Sequence, residues 1–183
     1  MAKSFPNTGA TVGLAADRTA LTSPFAGMQF FETDTKFVYT YDGSAWHKTN
    51  YVGISPAFHV QKSNAAAITS GSIIVWNDVK LDTTSSYSIA NGRFTAPVAG
   101  TYIISVWGMA ALSSPYFILD LYKNGALYMR AYSEIGPVTN TYYHVSMSAP
   151  IPMAVGDYLH VQPTGGSMYG LSNYNGFTGY FLG

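Results

Sequence analysis

Short apolar stretches, separated by turn-forming pairs, follow one another along most of the chain. Residues 102–107 read Tyr-Ile-Ile-Ser-Val-Trp, so apolar side chains occupy most positions of both alternating sets. This pattern predicts a strand that is covered on both faces. The stretch from Phe117 to Leu121 places alternate apolar side chains on one side, which predicts a strand with one buried face.

Turn-forming dipeptides lie between these stretches, and they are Asp42-Gly43, Asn91-Gly92, Asn124-Gly125, Gly156-Asp157, Gly165-Gly166 and Asn175-Gly176. Short β-rich runs between such turns are typical of an all-β sandwich or barrel. Helical periodicity is confined to one or two turns from Ala15 to Leu21, which end before Pro24. The chain is therefore predicted to be all-β.

The first part of the chain differs from the rest in character. Residues 1–24 are small and polar, so we expect them to be extended or only locally ordered. Residues 25–50 predict a β-meander of three short strands joined by tight turns, the last strand beginning at Trp46. Three strands of this size bury too little surface to be stable alone, so they must pack on the following domain or on neighbours in an assembly.

The change in composition near Ser55-Pro56 predicts a division of the chain into two parts. Residues 1–54 form an attachment segment, consisting of an extended arm and the meander. Residues 55–183 form one larger β domain, a size that is sufficient for a substantial core.

Composition favours a self-associating protein. Charged residues make up 10% of the chain, against about 25% in ordinary soluble domains. Aromatic residues make up 15%, including 15 tyrosines. Aromatic side chains are enriched and most charges are depleted in the cores of protein interfaces, so we expect part of the surface to be hidden against other subunits.

Charge and cysteine content exclude other classes of protein. Nine basic and nine acidic residues give a net charge of zero, and no basic run occurs, so nucleic acid is not an expected partner. The absence of cysteine excludes a disulfide framework. The amino terminus lacks the apolar core of a signal peptide, and no apolar run has the length of a membrane span, so membrane insertion is not expected.

Candidate chemistry is sparse. The four histidines occur singly, without the spacing of a metal site, and we interpret them as strand or surface residues. Asp78 and Asp82 are close enough in sequence to line a calcium site, although a solvated strand end is the simpler interpretation. No nucleophile elbow or phosphate loop is present. Neither a catalytic site, a cofactor nor a metal is therefore predicted.

The stretch "NGRFTAPVAGTYIISVWG" resembles the central pattern of the globular heads of complement component 1q and of the tumour necrosis factor-like superfamily. The matching positions are Gly92, Phe94, Thr95, Pro97, Gly100 and Tyr102. The segments "FHVQK", "LDLYKNG", "MAVGDYLHV" and "GFTGYFLG" resemble further family motifs and follow in the family's order. The resemblance covers roughly residues 56–183. The collagen stalk and the cysteines of many animal relatives are absent.

This resemblance implies an all-β, ten-stranded jelly-roll β-sandwich that associates as a compact homotrimer, with apolar and aromatic side chains along the trimer axis. The residues that it assigns to the core or the trimer contact are Tyr102, Ile104, Val106, Trp107, Phe117 and Leu119.

The stretch "DRTALTSPFAGMQFFETDTKFVYTYDGSAW" resembles a segment that recurs in bacteriophage fibre and minor tail proteins. The resemblance implies a non-enzymatic structural protein of the phage virion that is made in the host cytoplasm. The attachment segment would then bind other virion proteins, and its candidate contact residues are Phe30, Tyr39, Tyr41 and Trp46.

By analogy with the fold, the carboxy-terminal domain is expected to act in adhesion, as the receptor-binding part of a tail fibre or tail tip. The Gly-rich stretch 165–176 offers the candidate contacts to a host surface glycan or protein: Met168, Tyr169, Tyr174 and Asn175. A simpler interpretation is that this loop only covers the end of the sandwich. One alternative function is a capsid head fibre or decoration protein. Another is a glycan-cleaving enzyme, although no acid/base constellation in the sequence supports it.

Overall fold

The computed structural model describes residues 3–4, 10–63, 66–110, 115–134, 142–171 and 173–183. The chain divides into two compact units, Met1–Ser55 together with Gly183, and Pro56–Leu182. The division lies beside the boundary suggested by the sequence. The first is called the amino-terminal unit below, and the second is called the head.

The amino-terminal unit contains a five-stranded sheet and a short helix. Its elements are β1 (Lys3–Ser4), β2 (Ala10–Gly13), α1 (Ala15–Thr19), β3 (Gln29–Glu32), β4 (Phe37–Tyr41) and β5 (Trp46–Tyr51). The strand order is β1-β2-β3-β4-β5. Strands β3 to β5 form the predicted meander, and α1 lies within the predicted helical turns. The sequence does not predict the parallel pairing of β2 with β3, because "ATVG" shows no clear alternation.

The described residues of the head form ten strands. They are β6 (Ala57–Gln61), β7 (Asp78–Asp82), β8 (Tyr87–Ser88), β9 (Arg93–Thr95), β10 (Gly100–Met109), β11 (Tyr116–Lys123), β12 (Ala126–Glu134), β13 (His144–Met153), β14 (Tyr158–Gly165) and β15 (Gly176–Phe181). Sheet I has the order β13-β10-β15-β6-β7, and sheet II has the order β12-β11-β14-β9-β8. Two packed five-stranded sheets confirm the predicted jelly-roll sandwich.

Aromatic rings join the two sheets in the core of the head. Phe94 of sheet II stacks on Phe58 of sheet I, with ring centroids 4.3 Å apart. Phe94 also meets the edge of Tyr102 at 5.5 Å, and Phe58 meets Phe177 at 4.7 Å. All four rings are almost fully buried. Phe94, which belongs to the motif that carries the family resemblance, is therefore a main contact between the sheets.

Two residues of the motif, Gly92 and Tyr102, shape the turn before β9 and the link between β9 and β10. Gly92 has φ +71°, and a Cβ at this position would lie 2.5 Å from the carbonyl oxygen of Ile74, so the turn requires glycine. The hydroxyl of Tyr102 donates to the carbonyl oxygen of Val98 at 2.8 Å. This bond joins the link between β9 and β10 to the beginning of β10.

Candidate functional site

The loop between β14 and β15 lies at the end of the head that is opposite to Pro56. Strand β6 runs antiparallel to β15, so that Ala57 pairs with Tyr180 and Val60 pairs with Phe177. Beyond the far end of β6, the backbone N–H of Lys62 donates to the side-chain oxygen of Asn175 at 2.8 Å. The chain therefore enters the head at one end and carries this loop at the other.

Four aromatic side chains meet at this far end, and we call them the tip cluster: Tyr142, His144, Tyr169 and Tyr174. The ring centroids of Tyr142 and Tyr169 are 5.6 Å apart, those of Tyr169 and Tyr174 are 6.1 Å apart, and those of His144 and Tyr174 are 6.5 Å apart. Tyr142 is 48% exposed and Tyr174 is 44% exposed. The cluster therefore presents aromatic surface to the solvent.

Two of the predicted receptor contacts are internal residues instead. Met168 is fully buried, and its backbone pairs with Ile68. Asn175 is also fully buried, and its amide donates to the carbonyl oxygens of Leu171 at 2.5 Å and Tyr169 at 3.3 Å. The interpretation of Met168 and Asn175 as receptor contacts is therefore corrected to a structural role. For Tyr169 and Tyr174, receptor contact stays a prediction.

Sequence reasoning did not identify Tyr142 and His144 as members of this cluster. His144 is the first residue of β13 and Tyr142 lies just before this strand, about 30 positions before the loop that they meet. The pairing of His144 with Met109 at the end of β10 brings them there, and the backbone N–H of Tyr169 donates to the carbonyl oxygen of Met109. The sequence signal was the aromatic run "YYH" directly before an alternating strand.

The residues predicted for the core or trimer contact separate into two groups. The first group is buried inside the head and consists of Tyr102, Ile104, Val106, Phe117 and Leu119. These five residues belong to the core of the head. The interpretation of them as direct trimer contacts is corrected, because their side chains do not reach the surface. Trp107 lies on the opposite, outward face of β10, where its ring packs over Gly176 and beside His59 at 5.9 Å.

The outward face of sheet I combines apolar and hydroxyl-bearing side chains, and its charged side chains are confined to the edge strand β7 (Asp78–Asp82). Strands β13, β10, β15 and β6 contain no Lys, Arg, Asp or Glu. On the outward face, Ile103 of β10 pairs with Tyr180 of β15, which is 51% exposed. Leu81 of β7 is 47% exposed and pairs with His59. The four strands without charge therefore share two features of interface cores, the presence of aromatic side chains and the absence of charge.

The outward face of sheet II is polar by comparison. The buried carboxylate of Asp120 accepts two hydrogen bonds from Arg130, both at 2.7 Å, and one from the hydroxyl of Thr164 at 2.6 Å. The paired carboxylate raises the pKa of Arg130. A buried charge with this many partners stabilises one arrangement of β11, β12 and β14.

A buried histidine lies on the same face of sheet II. The ring of His160 stacks between Tyr122 at 5.0 Å and Tyr158 at 6.1 Å. Burial and the nearby charge of Arg93 lower the pKa of His160. The amide nitrogen of Gln162 donates to its Nε2 at 3.2 Å, whereas Nδ1 has no hydrogen-bond partner among the described residues. The ring is therefore held in its neutral form.

Two of the predicted attachment residues, Tyr39 and Trp46, lie beside one arginine of the amino-terminal unit. The guanidinium of Arg18 lies 4.0 Å from the ring centroid of Tyr39 and 5.8 Å from that of Trp46. It also pairs with the buried Glu32 at 2.7 Å. These contacts hold α1 on the sheet.

Attachment stays a prediction for Tyr39, Tyr41 and Trp46, which are partly exposed. Phe30 is fully buried and meets the ring of Trp46 at 6.2 Å. It is therefore corrected to a core residue of the amino-terminal unit.

The described residues contain no group of three or more His, Asp or Glu side chains that could hold a metal ion. Asp78 pairs with Lys80 at 2.8 Å. Asp82 accepts hydrogen bonds from the backbone N–H groups of Ser86 and Tyr87, both at 2.9 Å. The two aspartates considered for calcium thus have separate structural partners. No helix in the described part of the chain has the length and apolarity of a membrane span.

Comparison with known proteins places the head among defined relatives. The family profile of the C1q domain matches residues 57–182. The globular domain of zebrafish complement 1qA protein is similar with a TM-score of 0.58 and 19% identity, over 70% of this chain and 98% of that one. Eiger TNF from S. frugiperda is similar with a TM-score of 0.61 and 13% identity, over 72% and 94%. Murine APRIL is similar with a TM-score of 0.58 and 10% identity, over 70% and 99%. At these identities, the similarity to the solved structures is one of fold.

Proposed function

We propose that this chain, which belongs to the C1q domain family, is a homotrimeric phage virion protein whose head binds a ligand on the host surface. C1q/TNF-like domains form homotrimers. They are generally ligand-binding or structural rather than enzymatic. The proposal assigns ligand binding to the tip cluster and self-association to sheet I.

Self-association is supported by the outward face of sheet I. Its four uncharged strands, the half-buried ring of Trp107 and the exposed ring of Tyr180 form a surface that a lone head would leave in water. Contact with two further copies removes this area from the solvent and leaves the polar face of sheet II exposed. The low overall charge of the chain has the same explanation.

The observation that carries the adhesive function is the position of the tip cluster. It lies at the end of the head that is farthest from Pro56, and it exposes Tyr142 and Tyr174. In a protein anchored through its amino-terminal segment, this end is free to contact another surface. Three copies in one trimer gain avidity, so each site needs only modest affinity.

The virion assignment is supported by residues 17–46, which resemble a segment of phage fibre and minor tail proteins. In this proposal the amino-terminal unit binds another virion protein, and the chain is made in the host cytoplasm before assembly. A tail fibre or tail-tip position suits adhesion best. A capsid head fibre or decoration protein is the second candidate, since the same head and anchor would serve on the shell.

Antibody labelling of purified phage particles, read by electron microscopy, tests the virion assignment. Label at the tail tip is expected, label on the capsid selects the second candidate, and unlabelled particles contradict the assignment. Binding of the purified chain to bacterial cells tests adhesion. The double variant Tyr142→Ala/Tyr174→Ala should lose binding at an unchanged melting temperature. Tyr128→Ala, at a similarly exposed tyrosine (43%) on β12, is the matched control and should bind normally.

A further inference from the structure

We propose that the tip cluster binds an uncharged glycan. This inference rests on the proposed adhesive function and adds the chemical class of the ligand. It depends on three properties of the far end of the head: its residue types, the packing of its rings and the near absence of charge.

The segments that link strands at this end have an unusual composition. The described residues of these four segments are 62–63 and 66–70, 110 and 115–116, 134 and 142–144, and 166–171 and 173–175. Tyrosine occurs five times in their sequences, and serine, threonine, asparagine and glycine account for much of the remainder. Antibody binding loops have a similar composition, because tyrosine supplies rigid contact area at low entropic cost and small polar residues supply adaptable hydrogen bonds.

The rings of the tip cluster are held in place before any ligand arrives. Tyr169 lies between Tyr142 and Tyr174 and contacts both. The buried amide of Asn175 bonds to the backbone at Lys62, Tyr169 and Leu171, which fixes the loop that carries two of the rings. A surface fixed in this way loses little conformational entropy on binding. Exposed aromatic rings in this state suit the apolar face of a sugar ring.

The charges at this end indicate a neutral ligand. Lys62 is the only Lys or Arg in the four segments, and Glu134 is the only Asp or Glu. The carboxylate of Glu134 already accepts a hydrogen bond from the hydroxyl of Tyr132. A sialylated, sulfated or uronate-containing glycan would bury its anion against a single cation per subunit, which is a poor match for its charge.

A glycan also fits better than a protein surface. Protein interfaces concentrate their binding energy in Trp, Tyr and Arg, and of these three residue types the described residues of the four segments supply only Tyr. A repeating glycan, in addition, offers the same unit to all three heads of a trimer, which raises the avidity of weak single sites.

The test is binding of the full-length chain to an array of neutral oligosaccharides, printed beside the same oligosaccharides with added sialic acid, sulfate or uronate groups. We expect binding to neutral members that is unchanged between about 0.05 and 0.5 M NaCl, where exposed charge interactions become screened. Tyr174→Ala should weaken this binding about tenfold per site, which is the scale of one aromatic contact. Tyr174→Phe, Lys62→Gln and the control Tyr128→Ala should retain it.

Each of four results would overturn the inference. They are binding only to the charged members, loss of binding at high salt, loss of binding in Lys62→Gln, and no binding to any member at millimolar concentration. Whole bacterial cells separate this failure from failure of adhesion. If cells are bound and protease treatment abolishes binding while periodate oxidation of sugar diols does not, adhesion stands and the glycan inference is wrong. If neither cells nor glycans are bound, the proposed adhesive function fails as well.

Discussion

Replacing Tyr180 by alanine should dissociate the trimer without unfolding the head. Tyr180 lies on the outward face of sheet I and is 51% exposed in the single chain. A tyrosine side chain buries roughly 200 Å² when it is fully covered, so roughly 100 Å² per subunit remains to be buried by association. At about 25 cal/mol per Å², this area corresponds to about 2.5 kcal/mol per subunit and about 7 kcal/mol for three subunits. The dissociation constant of the trimer should therefore rise roughly 10⁵-fold.

Sedimentation equilibrium over a range of protein concentrations measures this change directly. Circular dichroism at the same concentrations should show an unchanged β spectrum, because the Tyr180 ring is not part of the core. Tyr128→Ala removes a ring of comparable exposure from the edge of sheet II and should leave the association intact. If Tyr180→Ala and Tyr128→Ala associate as strongly as the unaltered chain, sheet I is not the trimer surface.

Further predictions concern the core, the polar face of sheet II and the amino-terminal unit. Phe94→Ala should lower the free energy of unfolding by about 3–5 kcal/mol and the melting temperature at fixed protein concentration by roughly 10–20 °C. If Phe94→Ala lowers the melting temperature no more than Phe94→Leu does, the role of the Phe94 ring between the sheets is refuted. Arg130→Met should lower the melting temperature because it leaves the carboxylate of Asp120 buried with one partner fewer, and the double variant with Asp120→Leu should recover part of the loss. The free energy of unfolding should fall as the pH drops below about 6.5. The pKa of His160 is lowered in the folded head, so the unfolded chain binds the proton more readily. His160→Gln should make the free energy of unfolding less dependent on pH in this range, and an unaltered slope would contradict this role of His160. A chain that begins at Tyr51 should still melt cooperatively yet fail to enter virions, and normal incorporation would transfer attachment to the head.

The fold was largely predictable from local signals, because those signals coincide with the physical requirements of the strands. The alternation in residues 102–107 became β10, and the Gly92-x-Phe94 motif became the turn and the ring that join the sheets. The parallel partner of β3 was not predictable, since small residues such as those of Ala10–Gly13 pack in many arrangements.

The candidate site was predictable only in part, because exposure depends on partners that are distant in sequence. Met168 and Asn175 occur in a Gly-rich, tyrosine-containing loop that has the composition of a binding surface. Their burial results from contacts with Ile68 and Lys62, about 100 positions earlier in the chain. Tyr142 joins the same surface only through the pairing of β13 with β10. Local composition identified a loop that exposes tyrosine side chains, whereas tertiary pairing decided which of its side chains face the solvent.

The most direct test of a trimeric C1q-type head is the mass of the purified, unaltered chain in solution. Multi-angle light scattering at micromolar concentration should give three times the chain mass of 19.7 kDa, and this value should persist at high salt because four of the five strands of the proposed contact surface carry no charge. A mass of 19.7 kDa across the same concentrations would contradict the account, since the uncharged strands of sheet I and the exposed ring of Tyr180 would then remain in contact with water.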